Sequence, residues 1–270
     1  MACKNARMVK TKTAEQVSAT AQTTVQKTTA PSVVSRLLFG VDSKIQTDDI
    51  LQNNINEFEW AVRNKIYPNF WGRYINGENK LTKEEIGFLH DKGCKIAAIY
   101  APTEKKETED QGKIEAKKAA ISILELGIPK GTAIFMEIAD GKRISRDYLK
   151  GFAQVLLEDG YTPGFMANTD AAFDFDREFS RGLQTDKDIF DKCLVWATAP
   201  SLKEYERVTT THLIHPDNWV PFAPSGITRA EIAIWQYGKD CHPILDDSGK
   251  ETTFNVNLVR NEQLIIEKMF

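Results

Sequence analysis

Short apolar runs alternate with longer amphipathic segments along the chain from residue 36 onward. Apolar runs of about five to eight residues bounded by polar or glycine-rich positions are typical of strands that are buried on both faces. Seven runs predict strands of this kind: "LLFGVD" (37–42), "NFWGRYI" (69–75), "KIAAIYA" (95–101), "TAIFMEIA" (132–139), "YTPGFMAN" (161–168), "CLVWATA" (193–199) and "IAIWQYG" (232–238). An eighth, poorly defined strand is predicted around "THLIHPDNWVPF" (211–222).

Helix signals lie between these runs. Thr82 with Glu85, and Ser201 with Glu204, have the spacing of a capping box at a helix start. The segment 113–126 predicts an amphipathic helix that is stopped by the following glycine and proline. Its apolar face is predicted to consist of four residues: Ile114, Ala120, Ile121 and Leu124.

Strands that alternate with helices predict an α/β fold. About eight such units in roughly 235 residues fit a (β/α)8 TIM-type barrel, in a regular or an irregular form. The alternative is an open doubly wound sheet, which is less favoured because no glycine-rich phosphate-binding turn follows the first strand. We therefore expect one barrel domain over residues 36–270.

The first 35 residues have a different composition. They are rich in Thr, Gln, Ala and Lys and contain no Leu, Ile, Phe, Tyr or Trp. Such a segment buries too little apolar surface to offset the entropy lost on ordering. We expect residues 1–35 to form a flexible tail or tether, with a weak helix over 14–25 and docking onto an assembly partner as the alternative.

Bulk properties exclude several classes of partner. A formal net charge of -3 and a pI near 5.9 give no broad basic surface for nucleic acid. No apolar run approaches the roughly 20 residues that cross a bilayer, and the N-terminus lacks the apolar segment of a signal peptide, so we expect a soluble chain without membrane insertion.

His212 and His215 have no third ligand nearby, so neither a metal nor another cofactor is predicted. The chain has four widely spaced cysteines: Cys3, Cys94, Cys193 and Cys241. We expect them to be buried free thiols, with disulfides or metal ligands as alternatives.

The run "TAIFMEIADG" (132–141) ends on two acids, Glu137 and Asp140, and the first strand ends on Asp42. In a barrel of this type the C-terminal ends of the strands form the floor of the active site. Carboxyl groups beside aromatic rings and amides are typical of a sugar pocket, in which paired carboxyls serve as acid and base. We therefore predict catalytic roles for these three acids. Substrate-binding roles are predicted for seven further residues near strand ends: Arg73, Tyr74, Tyr100, Asn168, Trp196, Trp235 and Gln236.

Structural interpretations of the same residues remain open. Asp42 could cap the loop that follows it, and Glu137 could form a buried ion pair with Arg73. The tryptophans at strand ends could be ordinary core or rim residues. The prediction of a sugar pocket therefore depends on the joint pattern of strand ends.

Several stretches resemble a known family: "FGVDS", "FWGRYI", "LTKEEIGFLHDKGCKIAAIY", "AKKAAISILELGIPKGTAIFMEIAD" and "YLKGFAQVLLEDGYTPGFMAN". Together they are similar to the glycoside-hydrolase-like domain family of unknown function, over nearly everything after residue 36. More distantly, the opening Asp, the fourth-strand acid, "WQYG" and "FNVNLV" are similar to the family-25 glycoside hydrolases, lysozyme-type enzymes that cleave peptidoglycan. The resemblance implies a carbohydrate pocket, with Asp42 as the first-strand acid and Glu137 as the fourth-strand acid.

The chain departs from the lysozyme-type pattern at two places. Where those enzymes carry an Asp-x-Glu, aligning its Glu with Glu137 puts Phe135 at the Asp position. Near the C-terminus, "FNVN" has Asn255 and Asn257 where an Asp shortly before an Asn is expected. Glycoside cleavage needs one carboxyl as acid and a second charge to support the sugar cation.

Two classes of function follow from the resemblance and its departures. The first is a glycosidase acting on peptidoglycan or a related amino-sugar glycan. The second is a non-catalytic barrel in a cell-envelope or phage-like assembly, which either binds glycan or has a structural role. The sequence leaves the compartment open, with export to the cell envelope by a route without a signal peptide and phage-type release as the two alternatives.

Overall fold

The computed structural model describes residues 37–51, 54–103, 107–139, 143–201, 207–208, 218–243 and 253–270. These residues form nine strands: β1 (Leu38–Asp42), β2 (Phe70–Tyr74), β3 (Lys95–Tyr100), β4 (Ala133–Ile138), β5 (Thr162–Ala167), β6 (Leu194–Ala197), β7 (Arg207–Val208), β8 (Ile234–Pro243) and β9 (Phe254–Val259). They also form seven α-helices: α1 (Glu57–Arg63), α2 (Lys83–Asp91), α3 (Glu109–Leu126), α4 (Arg146–Glu158), α5 (Asp174–Thr185), α6 (Lys187–Phe190) and α7 (Glu262–Lys268). The predicted tail, Glu204, His212 and His215 lie outside the described residues.

Eight of the strands close into a barrel. Strands β1 to β6 are parallel neighbours in chain order, β6 pairs with β8, and β9 joins β8 to β1. β9 is antiparallel to both of its neighbours, whereas the other pairings of the ring are parallel. The short β7 pairs with the far end of β8. The predicted α/β TIM-type barrel is confirmed, and β9 is its irregular feature.

The predicted positions of the first seven strands are confirmed, but the prediction for the eighth was wrong. Six of the seven agree with the structure to within two residues at each end, and β8 extends to Pro243. Residues 218–222, the described part of the predicted eighth strand, form no strand, and 254–259 takes that place in the barrel. A search for continuous apolar runs misses "FNVNLV", because its two asparagines alternate with apolar residues.

Side chains at alternate positions of each strand point to opposite sides of the barrel wall. Inward-facing residues form one apolar cluster, which includes Phe70, Phe135 and Trp196. Outward-facing residues pack against the helices in a second, larger cluster, which includes Trp71 and Tyr100. This alternation decides which of the residues near a strand end reaches the interior.

Helix α3 begins earlier and buries a different face than the sequence suggested. Thr108 and Gln111 form a capping box at its start, and Gly127 with φ 71° ends it. The predicted apolar face was wrong, since Ile114, Ile121 and Leu124 are 47%, 59% and 70% exposed. The buried face contains small residues, one isoleucine and one glutamate: Gly112, Glu115, Ala116, Ala119 and Ile123. None of the described helices is both long and apolar enough to cross a membrane.

The small residues let α3 and α4 approach closely. A Cβ atom added at Gly112 would lie 2.1 Å from the carbonyl oxygen of Tyr148, and one added at Gly151 would lie 2.1 Å from that of Glu109. A hydrophobic-period search does not detect such a contact, because glycine carries no apolar side chain. One half of the capping box predicted at the start of α2 is present, since the Thr82 side chain accepts from the Glu85 backbone N–H. The Glu85 carboxylate instead accepts from Thr47 and Arg73. Three of the four cysteines are described, and all three are free thiols: Cys94, Cys193 and Cys241.

Candidate functional site

A cavity of about 590 Å³ opens at the C-terminal ends of the parallel strands. Its polar lining includes five of the predicted site residues: Asp42, Tyr74, Glu137, Asn168 and Gln236. The predicted pocket is therefore present, and it brings together the acids that end the first and fourth strands. Asp140 lies outside the described residues.

Asp42 lies on the cavity floor and is 1% exposed. Its Oδ1 accepts hydrogen bonds from Gln236 Nε2 at 3.0 Å and from Asn257 Nδ2 at 2.7 Å. Its Oδ2 accepts from Asn255 Nδ2 at 2.7 Å. Burial raises the pKa of Asp42, the three amide donors oppose the rise, and the charge of Glu137 adds to it. Three amides from β8 and β9 thus hold a buried carboxyl group in one orientation.

The orientation of the two asparagines is itself set by hydrogen bonds. The oxygen of Asn257 accepts from Trp196 Nε1 at 2.9 Å, and the oxygen of Asn255 accepts from the Asp240 backbone N–H at 3.0 Å. With each amide oxygen engaged in this way, each NH₂ group points towards Asp42. The two asparagines of β9 therefore support the first-strand acid.

Glu137 is half-buried at the end of β4. Its Oε1 accepts a hydrogen bond from the Tyr74 hydroxyl at 3.0 Å, and Lys44 Nζ lies 5.7 Å from the centroid of the Tyr74 ring. Burial raises the pKa of Tyr74, and the nearby charges of Asp42 and Glu137 raise it further. The phenol therefore keeps its proton and acts as a donor to Glu137.

Four predicted site residues do not line the cavity: Arg73, Tyr100, Trp196 and Trp235. Arg73, Tyr100 and Trp235 each stand next to a residue that points inward, so strand alternation directs them to the outer side of the wall. Trp196 points inward but lies in the apolar cluster that fills the interior of the barrel. It reaches the site through the hydrogen bond that its Nε1 donates to Asn257.

Arg73 is fully buried and pairs with Glu85 of α2, with Nε 2.7 Å from Oε1. Its Nη1 and Nη2 donate to the carbonyl oxygens of Ser43 and Asn79. The ion pair between Arg73 and Glu137 that the sequence left open is therefore not formed. A residue on α2, twelve positions further along the chain, provides the partner.

The other two outward residues are held in the layer between the barrel and its covering segments. The Tyr100 hydroxyl donates to Glu115 Oε2 at 2.8 Å, and its ring stacks on Phe152. Trp235 Nε1 donates to the carbonyl oxygen of Pro200 at 3.0 Å. These contacts give both side chains a role in packing.

Phe135 stands where the distant resemblance predicts an acid. Its ring is buried and meets that of Trp196 edge-on, with the centroids 5.3 Å apart. A Cβ added at Gly164 would lie 2.4 Å from the Phe135 ring, so the ring is closely packed. An apolar side chain thus fills the barrel interior next to the cavity.

Some residues of the cavity were not among the predicted site residues. Lys44 and Lys239 also line the cavity and were missed, because they lie beyond the apolar runs that define the strands. Asn255 and Asn257 carried a usable signal, since two amides at alternate positions of one strand face the same side. In the described part of the chain, no group of three or more His, Cys, Asp or Glu side chains is arranged to hold a metal ion.

The closed barrel and its carboxyl-bearing cavity define a protein of the glycoside hydrolase-like class. A model of the Rv2525c-like, glycoside hydrolase-like domain family matches residues 61–248. The chain belongs to this family, and the predicted family resemblance is confirmed. The matched range includes Glu137 but excludes Asp42 and the asparagines of β9. No curated protein matches the chain.

Solved structures of other proteins are similar to this chain. An uncharacterized protein from B. stearothermophilus is 23% identical with a TM-score of 0.71, over 86% of this chain and 100% of that one. The Mycobacterium tuberculosis Tat-secreted protein Rv2525c, solved in complex with L-tartrate, is 13% identical with a TM-score of 0.50, over 84% of this chain and 97% of that one. A family GH25 lysozyme from Aspergillus fumigatus is 11% identical with a TM-score of 0.46, over 86% of this chain and 97% of that one.

Proposed function

We propose that this protein is a hydrolase of an amino-sugar glycan of the peptidoglycan type, which it binds in the cavity at the C-terminal ends of its strands. One observation carries the proposal: Asp42 and Glu137, which end two different strands, face the same cavity. Paired carboxyls of this kind are the usual machinery of glycoside hydrolysis. Membership of a glycoside hydrolase-like family supports the glycan as the ligand.

The two carboxyls take different roles in the proposed reaction. Glu137 is the more accessible of the two, and we assign it as the general acid that protonates the glycosidic oxygen as the bond to the anomeric carbon breaks. Water then adds to the anomeric carbon and returns a proton to the Glu137 carboxylate. Tyr74 orients Glu137 through the hydrogen bond to Oε1.

Asp42 is assigned an electrostatic role. Because it is 1% exposed and accepts three amide hydrogen bonds, its oxygens are poorly placed to attack the sugar. Burial raises the pKa of Asp42, but all three hydrogen bonds to its oxygens come from amide donors, which favour the anionic form. An anion on the cavity floor stabilises positive charge that develops on the sugar in the transition state. Asp140 stays a predicted third carboxyl.

A second candidate function is glycan binding without cleavage. Phe135 favours it, because a buried ring fills the position of one lysozyme-type acid. The barrel would then keep the cavity and its hydrogen-bonding groups but lack the full set of charges that cleavage uses. This function and hydrolysis predict the same binding and different products.

Glu137→Gln tests the two functions. If the protein is a hydrolase, the wild type releases reducing ends from peptidoglycan or chito-oligosaccharides, and the variant is slower by at least about a hundredfold because it has lost its general acid. Glycan affinity should persist, and Glu84→Gln, on the exposed side of α2, serves as the control with unchanged activity. A wild type that binds glycan but releases no reducing ends, at any pH between about 4 and 8, would reject hydrolysis and leave the binding function.

A further inference from the structure

A cluster of buried polar side chains lies behind the cavity wall and has no part in the proposed chemistry. It consists of Ser43, Thr47, Glu57, Arg73 and Glu85, and we call it the Arg73 cluster. Of its members, only Ser43 also lines the cavity. Ser43, which follows Asp42 in the chain, therefore links the cavity wall to buried polar side chains on α1, β2 and α2.

The charges of the Arg73 cluster do not balance if every carboxyl is ionised. Arg73 is paired with Glu85, whose Oε1 also accepts from the backbone N–H and hydroxyl of Thr47. Glu57 is a second, fully buried carboxyl with no guanidinium donor on it. An ionised Glu57 would be a buried charge without its own counter-ion, which proteins avoid by keeping the group protonated.

The hydrogen bonds around Ser43 fit a protonated Glu57. Ser43 Oγ lies 2.9 Å from Glu57 Oε2 and 3.2 Å from the carbonyl oxygen of Ile45, and it accepts from Trp71 Nε1 at 3.2 Å. The hydroxyl has one hydrogen and faces two acceptors when Glu57 is ionised. If Oε2 carries a proton, Glu57 donates to Ser43 and Ser43 donates to Ile45, so every group is satisfied.

The remaining contacts of Glu57 agree with this proton count. Its Oε1 is buried and makes no hydrogen bond with the described residues, which a neutral carbonyl oxygen tolerates better than half of a carboxylate charge. Burial raises the pKa of Glu57 to about 8. The Ser43 hydroxyl and the charge of Arg73 lower it, and the charges of Glu85 and Asp49 raise it.

We propose that Glu57 is a positioning residue that acts through its proton: protonated, it holds Ser43 and Ile45 in the cavity wall, and deprotonated, it draws the Ser43 hydroxyl away from Ile45 and weakens ligand binding. Ser43 and Ile45 line the cavity beside Asp42. The effect on binding rests on the proposed function, because it presumes that a glycan occupies this cavity. The change in the hydrogen bond between Ser43 and Ile45 does not depend on the proposed function.

The two effects are measured separately. Trp71 donates to Ser43, so the intrinsic fluorescence of the wild type should change with a midpoint near pH 8, independently of any ligand. The affinity for a chito-oligosaccharide, measured by calorimetry, should fall about tenfold between pH 7 and pH 9, as the binding-competent fraction falls. Glu57→Gln can donate to Ser43 at every pH, so it should show neither change. Glu59→Gln, on the same turn of α1, should show both.

A fluorescence transition and an affinity change that are present in the wild type and absent in Glu57→Gln support the inference. A flat wild-type fluorescence curve, or a transition that persists in Glu57→Gln, overturns it, and the wild-type curve alone suffices if that variant does not fold. A fluorescence transition with constant affinity refutes the positioning role. Absence of chito-oligosaccharide binding at every pH refutes the proposed function instead, and the fluorescence curves still decide where the proton is.

Discussion

Replacing Glu85 by glutamine should destabilise the protein far more than the same change at Glu137. Glu85 is the buried partner of Arg73, with Nε 2.7 Å from Oε1 and Nη2 3.3 Å from Oε2. In Glu85→Gln the amide oxygen can replace one acceptor, but the NH₂ group then faces Nη2, donor against donor. Arg73 keeps its bonds to the carbonyl oxygens of Ser43 and Asn79 but loses its counter-ion.

The magnitude follows from burial. Both side chains of the Arg73–Glu85 pair are 0% exposed, and removing one partner of such a pair costs about 3–5 kcal/mol. For a domain of this size that corresponds to a fall in melting temperature of roughly 6–20 °C. Glu137→Gln keeps an oxygen that accepts from Tyr74, so its cost should stay under about 1 kcal/mol.

Urea denaturation at pH 7, followed by far-UV circular dichroism, measures both free energies of unfolding, provided that the m-values agree. The double variant Glu57→Gln/Glu85→Gln provides a further check, because Glu57, whose pKa the charge of Arg73 lowers, can ionise to compensate Arg73. Its loss of stability should exceed the sum of the two single losses. Equal losses for Glu85→Gln and Glu137→Gln would refute the reasoning, since they would mean that Glu137 balances Arg73.

Two further predictions concern stability. The pKa of Glu57 is about 8 in the folded state and about 4.5 in the unfolded state, so between these pH values only the folded state binds the proton. The free energy of unfolding of the wild type relative to Glu57→Gln should therefore fall by about 5 kcal/mol as pH rises from 4.5 to 8. Parallel curves of the two proteins from urea denaturation at pH 5 to 9 would contradict this. Gly112→Ala should cost about 2–3 kcal/mol, because its Cβ would lie 2.1 Å from the Tyr148 carbonyl oxygen, whereas Gly87→Ala, with nothing within 4 Å, should gain up to about 1 kcal/mol in the helix. Similar thermal shifts in the two alanine variants would disprove the close approach of α3 and α4.

The sequence alone was sufficient for the barrel and for two of its central acids. Parallel strands buried on both faces appear as continuous apolar runs, so their positions could be read locally. Asp42 and Glu137 end such runs, and in a barrel all of those ends lie on one face. The prediction that they share a cavity needed only the order of strands and helices.

The sequence shows which residues of a strand share a face, because side chains alternate, but it does not show which of the two faces points into the barrel. Arg73 and Tyr74 are adjacent, so only one of them can point inward, and the same holds for Trp235 and Gln236. The polar residue of the second pair lines the cavity, while the tryptophan packs outside the barrel. Composition alone does not distinguish the members of such a pair, because both faces of the wall are largely buried.

Only the tertiary structure decided which residues hold the acids. The amides on Asp42 come from Gln236, Asn255 and Asn257, which lie 194, 213 and 215 positions away. They reach it because β8 and β9 complete the barrel, with β9 antiparallel to β1. Arg73 finds Glu85 rather than Glu137 because it points outward, where α2 packs against the wall. Local patterns in a sequence report the burial of each segment, whereas a hydrogen bond or an ion pair depends on which segments meet in space.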